Sequence, residues 1–152
     1  MAASIPEEVR RIFTQAPFIT NLGLELSALG QGECTTILPL RPRHLQQDGY
    51  VHAGVHAAMA DHTAGGAAAT LIKKGQIVLT MEFKINLLRA AKGERLICRA
   101  KVLKPGSRFI VVESEVFCEQ AGEEQLVSKA TATIAVVAAK PVDRHQKEGD
   151  DT

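Results

Sequence analysis

Hydrophobic and polar residues change period along this chain, and each change marks an element. Over residues 5–14 the period is helical: Val9, Ile12 and Phe13 share one face, Pro6 suits the first turn, and Glu7 and Glu8 favour the N-terminus. From 23 to 40 two alternating stretches flank Gly30 and Gly32, which predicts two strands joined by a turn. A polar loop, RPRHLQQDGY, comes next. The chain then enters a helix built almost wholly from small residues, running to about Lys73 with Gly75 as its stop. Four more strands are predicted, at 76–88, 94–104, 107–119 and 124–137. The first alternates most clearly: Ile77, Leu79, Met81, Phe83, Ile85 and Leu87 are predicted to face one way, and Thr80, Glu82, Lys84 and Asn86 the other. The breaks AKGE, KPGS and QAGEE are turn-like and short, so neighbouring strands should run antiparallel.

Together these elements predict an α+β fold in which an antiparallel sheet of five to six strands packs on a helix of about 20 residues, about 30 Å long. The sheet can wrap closely because the helix surface is smooth: Ala57, Ala58, Ala60, Ala64, Gly65, Gly66, Ala67, Ala68 and Ala69 all lie on it. Packing alone is reason enough for most of these. The expected organisation is one domain over 1–139, with 1–20 as an N-terminal helix and lead-in. The polar tail at 140–152 is expected to be disordered.

Charge and cysteine usage narrow the function. With 18 basic and 17 acidic residues the chain has no basic excess for nucleic acid or a membrane surface, although a local basic patch for a phosphorylated ligand stays open. Cys34, Cys98 and Cys118 are scattered and odd in number, which reads as reduced thiols in strands of a cytoplasmic protein. The start shows no signal-peptide pattern, and no apolar run approaches the roughly 18 residues of a membrane span. Neither nucleic acid nor membrane is expected as a partner.

Within QQDGYVHAGVHAAMADHTAGGAAA (46–69) one carboxylate, Asp61, sits among alanines, where an acid is either costly or a working group. The polar loop before it meets a helix N-terminus, a prepared place for an oxyanion.

These residues resemble a known family. The string G-x-x-H-x-G-x-x-x-x-x-x-D, here Gly49, His52, Gly54 and Asp61 with Gln46 ahead of it, is similar to the motif of acyl-CoA thioesterases of the phenylacetate-degradation type. VLTMEFKINLLRAAKGERL is similar to their central strand and its following turn, and the resemblance extends over about 22–137. It implies the hotdog fold, hydrolysis of an acyl- or aryl-CoA to free acid and CoA, no cofactor, and a homo-oligomer. Two positions differ from the family pattern. Gln46 stands where Asn is usual and keeps the amide on a longer arm; Ala53 stands where Gly is usual and keeps its backbone N–H.

Thioester hydrolysis needs an activated water or nucleophile, and donors for the developing oxyanion. Asp61 suits the base or the nucleophile, and the sequence does not choose between them. Backbone N–H groups of Ala53 and Gly54 at the helix start suit the oxyanion. Gln46 is expected to orient water or donate to the carbonyl, and the resemblance places the Thr80 hydroxyl near the acid. Gly49 and His52 are expected to line the ligand, His52 by bracing the loop as much as by chemistry. Arg89, Lys92, Lys104 and Arg108 lie near turns, where they could meet CoA phosphates; of these Arg89, Lys92 and Arg108 are the chosen candidates.

Asp61 lies eight residues after Ala53, so about 12 Å further along the helix. If both act on one carbonyl they must come from different subunits. That predicts at least a homodimer with antiparallel helices, with a homotetramer also open. No metal is expected: His52 and His56 are spaced like a helical zinc pair but lack HExxH and a third ligand, and solvation is the simpler reading of His56 and His62. Two rivals are kept, a non-catalytic acyl-CoA sensor and a hotdog-fold hydratase or dehydratase. The first is disfavoured by the lack of an effector segment in the chain. The second would need a decisive histidine, His52 or His56.

Overall fold

Why this chain wraps a sheet round one helix is visible in a computed structural model that describes residues 4–140. The elements are α1 (Glu7–Thr14), α2 (Pro17–Leu22), β1 (Glu25–Gly30), β2 (Glu33–Pro39), a 3-10 turn (Pro42–His44), α3 (Ala53–Ala69), β3 (Gln76–Leu87), β4 (Arg95–Lys104), β5 (Phe109–Gln120) and β6 (Glu123–Ala138). The six strands form one antiparallel sheet in the order β1-β2-β4-β5-β6-β3, and α3 lies against β2, β3, β4, β5 and β6. This is the hotdog arrangement. The expected disordered tail falls on 141–152, outside the described residues.

Small residues on α3 permit that contact. A Cβ at Gly66 would stand 2.8 Å from Cys34 Sγ and 3.1 Å from the Phe13 ring, so only glycine fits there. Polar pins then fix the helix along its axis. Ser114 Oγ of β5 donates to Ala60 O (2.9 Å), and the Thr36 and Thr63 hydroxyls meet at 2.7 Å. One pin precedes Asp61 and the other follows it. The three cysteines are free and buried, and burial pushes the Cys34 and Cys98 thiols up to about 12, which keeps them unreactive.

Four sequence expectations need correction. The small-residue helix ends at Ala69, not Lys73; Gly75, at φ +84°, belongs to the turn that leads into β3. A second short helix, α2, follows Ala16, because Pro17 is well placed at a first helical position. Third, β3 does not present one uniform apolar face. Thr80 pairs with Ile134 but Glu82 pairs with Thr133, so Met81 is an extra, bulged residue. Before the bulge Val78 and Thr80 share the inner face, while Ile77 and Leu79 turn outward. After it Phe83 and Ile85 pair with the core residues Ala132 and Ala130, and Glu82 turns out to meet the Thr133 hydroxyl (2.7 Å). Fourth, the apolar residues predicted to face one way on β3 are not a covered row. The strand is a free sheet edge, with Leu79, Met81, Phe83 and Leu87 all exposed.

No helix among the described residues is long and apolar enough to cross a membrane.

Candidate active site

Two clefts hold most of the candidate residues, and both open along the β3 edge. The first lies at the start of α3. Its volume is about 410 Å³ and its lining includes Gln46, Tyr50, His52, Ala53, His56 and Arg89. The loop that shapes it is braced by His44, a residue the sequence gave no reason to single out. His44 is buried; its Nδ1 accepts from Arg41 N (3.0 Å), its Nε2 meets Leu22 O at 2.7 Å, and its carbonyl accepts the His52 N–H (2.9 Å).

His52 is the N-cap of α3, with extended backbone, and its Nδ1 accepts from Gly54 N (2.8 Å). That bond changes the oxyanion expectation. Gly54's N–H is already engaged, whereas the exposed Ala53 N–H has no acceptor among the described residues. Gly54 serves a different end: a Cβ there would come within 3.0 Å of His52 Nδ1. Ala53 itself is the first residue of the helix and has no positive φ, so its methyl group is unstrained. Since a side-chain cap contributes about 1 kcal/mol, His52→Ala is expected to lower stability by about that amount in urea denaturation. His52→Asn, a strong cap, should restore it.

The Gln46 side chain is half-buried, and its Oε1 accepts from the backbone N–H groups of Asp48 and Tyr50 (the latter 3.3 Å). Its Nε2 is thereby the end left to donate. Gly49 makes the turn at φ +84° and does not line the cleft; its role is backbone conformation. Arg89 does line it and donates to Leu126 O (3.3 Å), and Lys92 lines an adjoining cleft that shares Ala90 and Ala91. Arg108 is elsewhere. Its carbonyl accepts from Val136 N while Arg89 N donates to Val127 O, nine residues away on β6, or about 30 Å.

The second cleft, of about 120 Å³, is lined by Asp61, Thr80, His62, Gly65, Val78, Ile12 and Ile134. Thr80 Oγ1 donates to Asp61 Oδ1 at 2.7 Å, leaving Oδ2 open. Asp61 is half-buried rather than sealed in the core, so the heavy burial cost argued from the sequence does not arise in the single chain. It belongs to a stripe of α3, with Gly54, Ala58 and Gly65, that the chain's own sheet leaves uncovered.

Neither His56 nor His62 is a solvated surface residue, contrary to the sequence expectation. His56 is 2% exposed and its Nδ1 lies 2.9 Å from Ser128 Oγ of β6. His62 stacks edge-on against Phe13 (4.8 Å) and its Nε2 reaches Ile12 O (3.1 Å). Burial lowers the pKa of both rings. Among the described residues no three His, Cys, Asp or Glu side chains gather as a metal site would need.

The comparison with known proteins settles the family. The model of the thioesterase superfamily matches residues 48–125, just over half of the chain. The chain belongs to the thioesterase superfamily. Membership makes this thioesterase a thioester hydrolase, and the matched segment contains His52, Ala53, Asp61 and Thr80. A thioesterase family protein of Silicibacter pomeroyi of known structure is 33% identical to it, with TM-score 0.86 over 90% of this chain and 100% of that one. A Saccharolobus solfataricus protein named as an esterase is 31% identical over 70% of this chain and 76% of its own length. The thioesterase is also 28% identical to the 1,4-dihydroxy-2-naphthoyl-CoA hydrolase of Listeria monocytogenes, over 76% of this chain and 91% of that one.

Proposed function

We propose that this thioesterase hydrolyses acyl- or aryl-CoA esters, in the manner of the phenylacetate-degradation type, at two composite sites of a homodimer. The observation that carries the reading is the division of labour between two clefts. The acid with its hydroxyl partner occupies one, the free oxyanion donors occupy the other, and both open along the same edge strand. About 12 Å of helix separates Asp61 from Ala53 in one chain.

A second copy supports the remedy. An exposed twelve-residue edge strand bearing Leu79, Met81, Phe83 and Leu87 favours pairing with another strand. Two-fold pairing of β3 about Phe83 and Lys84, just past the middle of the strand, sets the Thr80 end of each strand against the Leu87 end of the other. Each acid then faces the helix start of the other chain.

In that site the thioester carbonyl accepts from the Ala53 N–H and from Gln46 Nε2 at the positive end of α3. Asp61 of the partner subunit, steadied by its Thr80 bond, takes the proton from the attacking water through Oδ2, or attacks the carbonyl itself. The tetrahedral intermediate collapses by breaking the C–S bond and releasing the CoA thiolate, which takes up the proton. After direct attack, water then cleaves the acyl–Asp61 anhydride to the free acid and restores the carboxylate. Arg89 and Lys92, at the mouth of the helix-start clefts, are placed for CoA phosphates; Arg108 of the same chain is too far to share that task. The name of the Listeria relative favours an aromatic acyl group.

The test is thiol release from short, long and aromatic acyl-CoA esters, run with size-exclusion chromatography. Hydrolysis of at least one ester by a dimer or larger assembly is expected. CoA esters that bind but are never cleaved would instead support the sensor, and full activity in a monomer would rule out the composite site.

A further inference from the structure

His56 has no part in the chemistry above, yet its placement is costly and specific. The ring is buried between α3 and the sheet and lines the helix-start cleft. Nδ1 is held by Ser128. For Nε2 no hydrogen-bond partner exists among the described residues, and no fully buried side-chain nitrogen or oxygen there lacks one, so Nε2 must open into the cleft. An aliphatic side chain would fill the same space without leaving a polar atom to be satisfied.

We propose that the His56–Ser128 pair is a specificity element that reads a hydroxyl group on the acyl portion of the substrate. The inference rests on the CoA-ester reading and adds the substrate's substituent to it. His56 lies three residues beyond Ala53, about 4.5 Å deeper along the helix axis, so its ring is one turn inside the point where the carbonyl is held. The charged CoA end must leave toward solvent past Arg89, and the acyl group therefore points inward, toward His56.

The identity of the substituent follows from the ring's hydrogen-bond inventory. Burial keeps the imidazole neutral, so Nε2 is a donor in one tautomer and an acceptor in the other. Ser128 can donate to Nδ1 or accept from it, so both tautomers are open to the pair. A hydroxyl, which both donates and accepts, satisfies Nε2 in either case. A hydrocarbon acyl group leaves it unpaired and loses affinity on that account.

The experiment compares matched esters: benzoyl-CoA with its 2-, 3- and 4-hydroxy forms, and butyryl-CoA with 3-hydroxybutyryl-CoA. Wild-type protein should prefer the hydroxylated member of at least one pair by about tenfold or more in kcat/KM. His56→Leu should bring that ratio close to one, both by slowing the hydroxylated ester and by relieving the plain ester of the unpaired Nε2. His56→Gln should recover part of the preference. Ser128→Ala, which removes only a hydroxyl and guards against a misfolded His56 variant, should weaken the preference by loosening the ring. A wild-type ratio at or below one for every pair overturns the proposal, as does a ratio unchanged in His56→Leu. Those outcomes leave CoA-ester hydrolysis standing; cleavage of no ester at all would instead remove the reading on which it rests.

Discussion

Asp61→Asn should lower kcat by about 10²–10⁴-fold, the range associated with a general base, with little change in KM or in assembly size. The variant is chosen so that only one property changes. Asparagine keeps the shape of the side chain and still offers an oxygen to the Thr80 hydroxyl, which sits 2.7 Å away in the native chain. Asp61 is half-buried and the amide has the same shape, so stability should hold. Steady-state thiol release with matched size-exclusion profiles checks this. Equal activity in both proteins would move the chemistry off Asp61, with His52 the next residue to replace.

The second large effect is expected at Ala53, from a substitution that deletes one hydrogen atom's worth of function. Ala53→Pro removes the free N–H proposed to hold the oxyanion and should lower kcat by about 10²–10³-fold. Proline is well tolerated at a first helical position, and His52 before it already has the extended backbone, at ψ 139°, that a following proline demands. Fold and dimer should therefore survive. The decisive measurement mixes the two dead proteins. In a dimer of Asp61→Asn with Ala53→Pro, one composite site receives an intact Asp61 from one chain and an intact Ala53 from the other. Random re-association makes about half the dimers mixed, so about a quarter of wild-type activity should return. A site contained within one chain would give no recovery at all.

The long helix and the six strands were legible because their signals are local. Alanine and glycine runs, alternation and short turns each need only a few neighbouring residues to be read. The bulge at Met81 was not, since Leu79, Met81 and Phe83 alternate perfectly in sequence and only the pairing with β6 shows that one of them is surplus. Asp61 and Thr80 were marked out, by an acid among alanines and by resemblance, and the chain does bring them together. His56 was misread for a physical reason: its partner, Ser128, lies 72 residues away, and a long-range bond leaves no trace in local composition. The competition for the Gly54 N–H was equally hidden, because it depends on the rotamer of His52.

The extra residue in β3 also acts as a lock on alignment. A regular edge strand can slide past a neighbour by two residues and keep its sides unchanged. This one cannot, because sliding would carry Met81 away from the Thr133/Ile134 step of β6, opposite which the ladder accommodates the extra residue. The phase of the strand is thus stamped into its length, and with it the spacing between the threonine that holds the acid and the leucines at the mouth of the other cleft. A homologue with a flat strand here should be one residue shorter between those two points, and an alignment that ignores this will pair the wrong side chains across the whole second half of the strand.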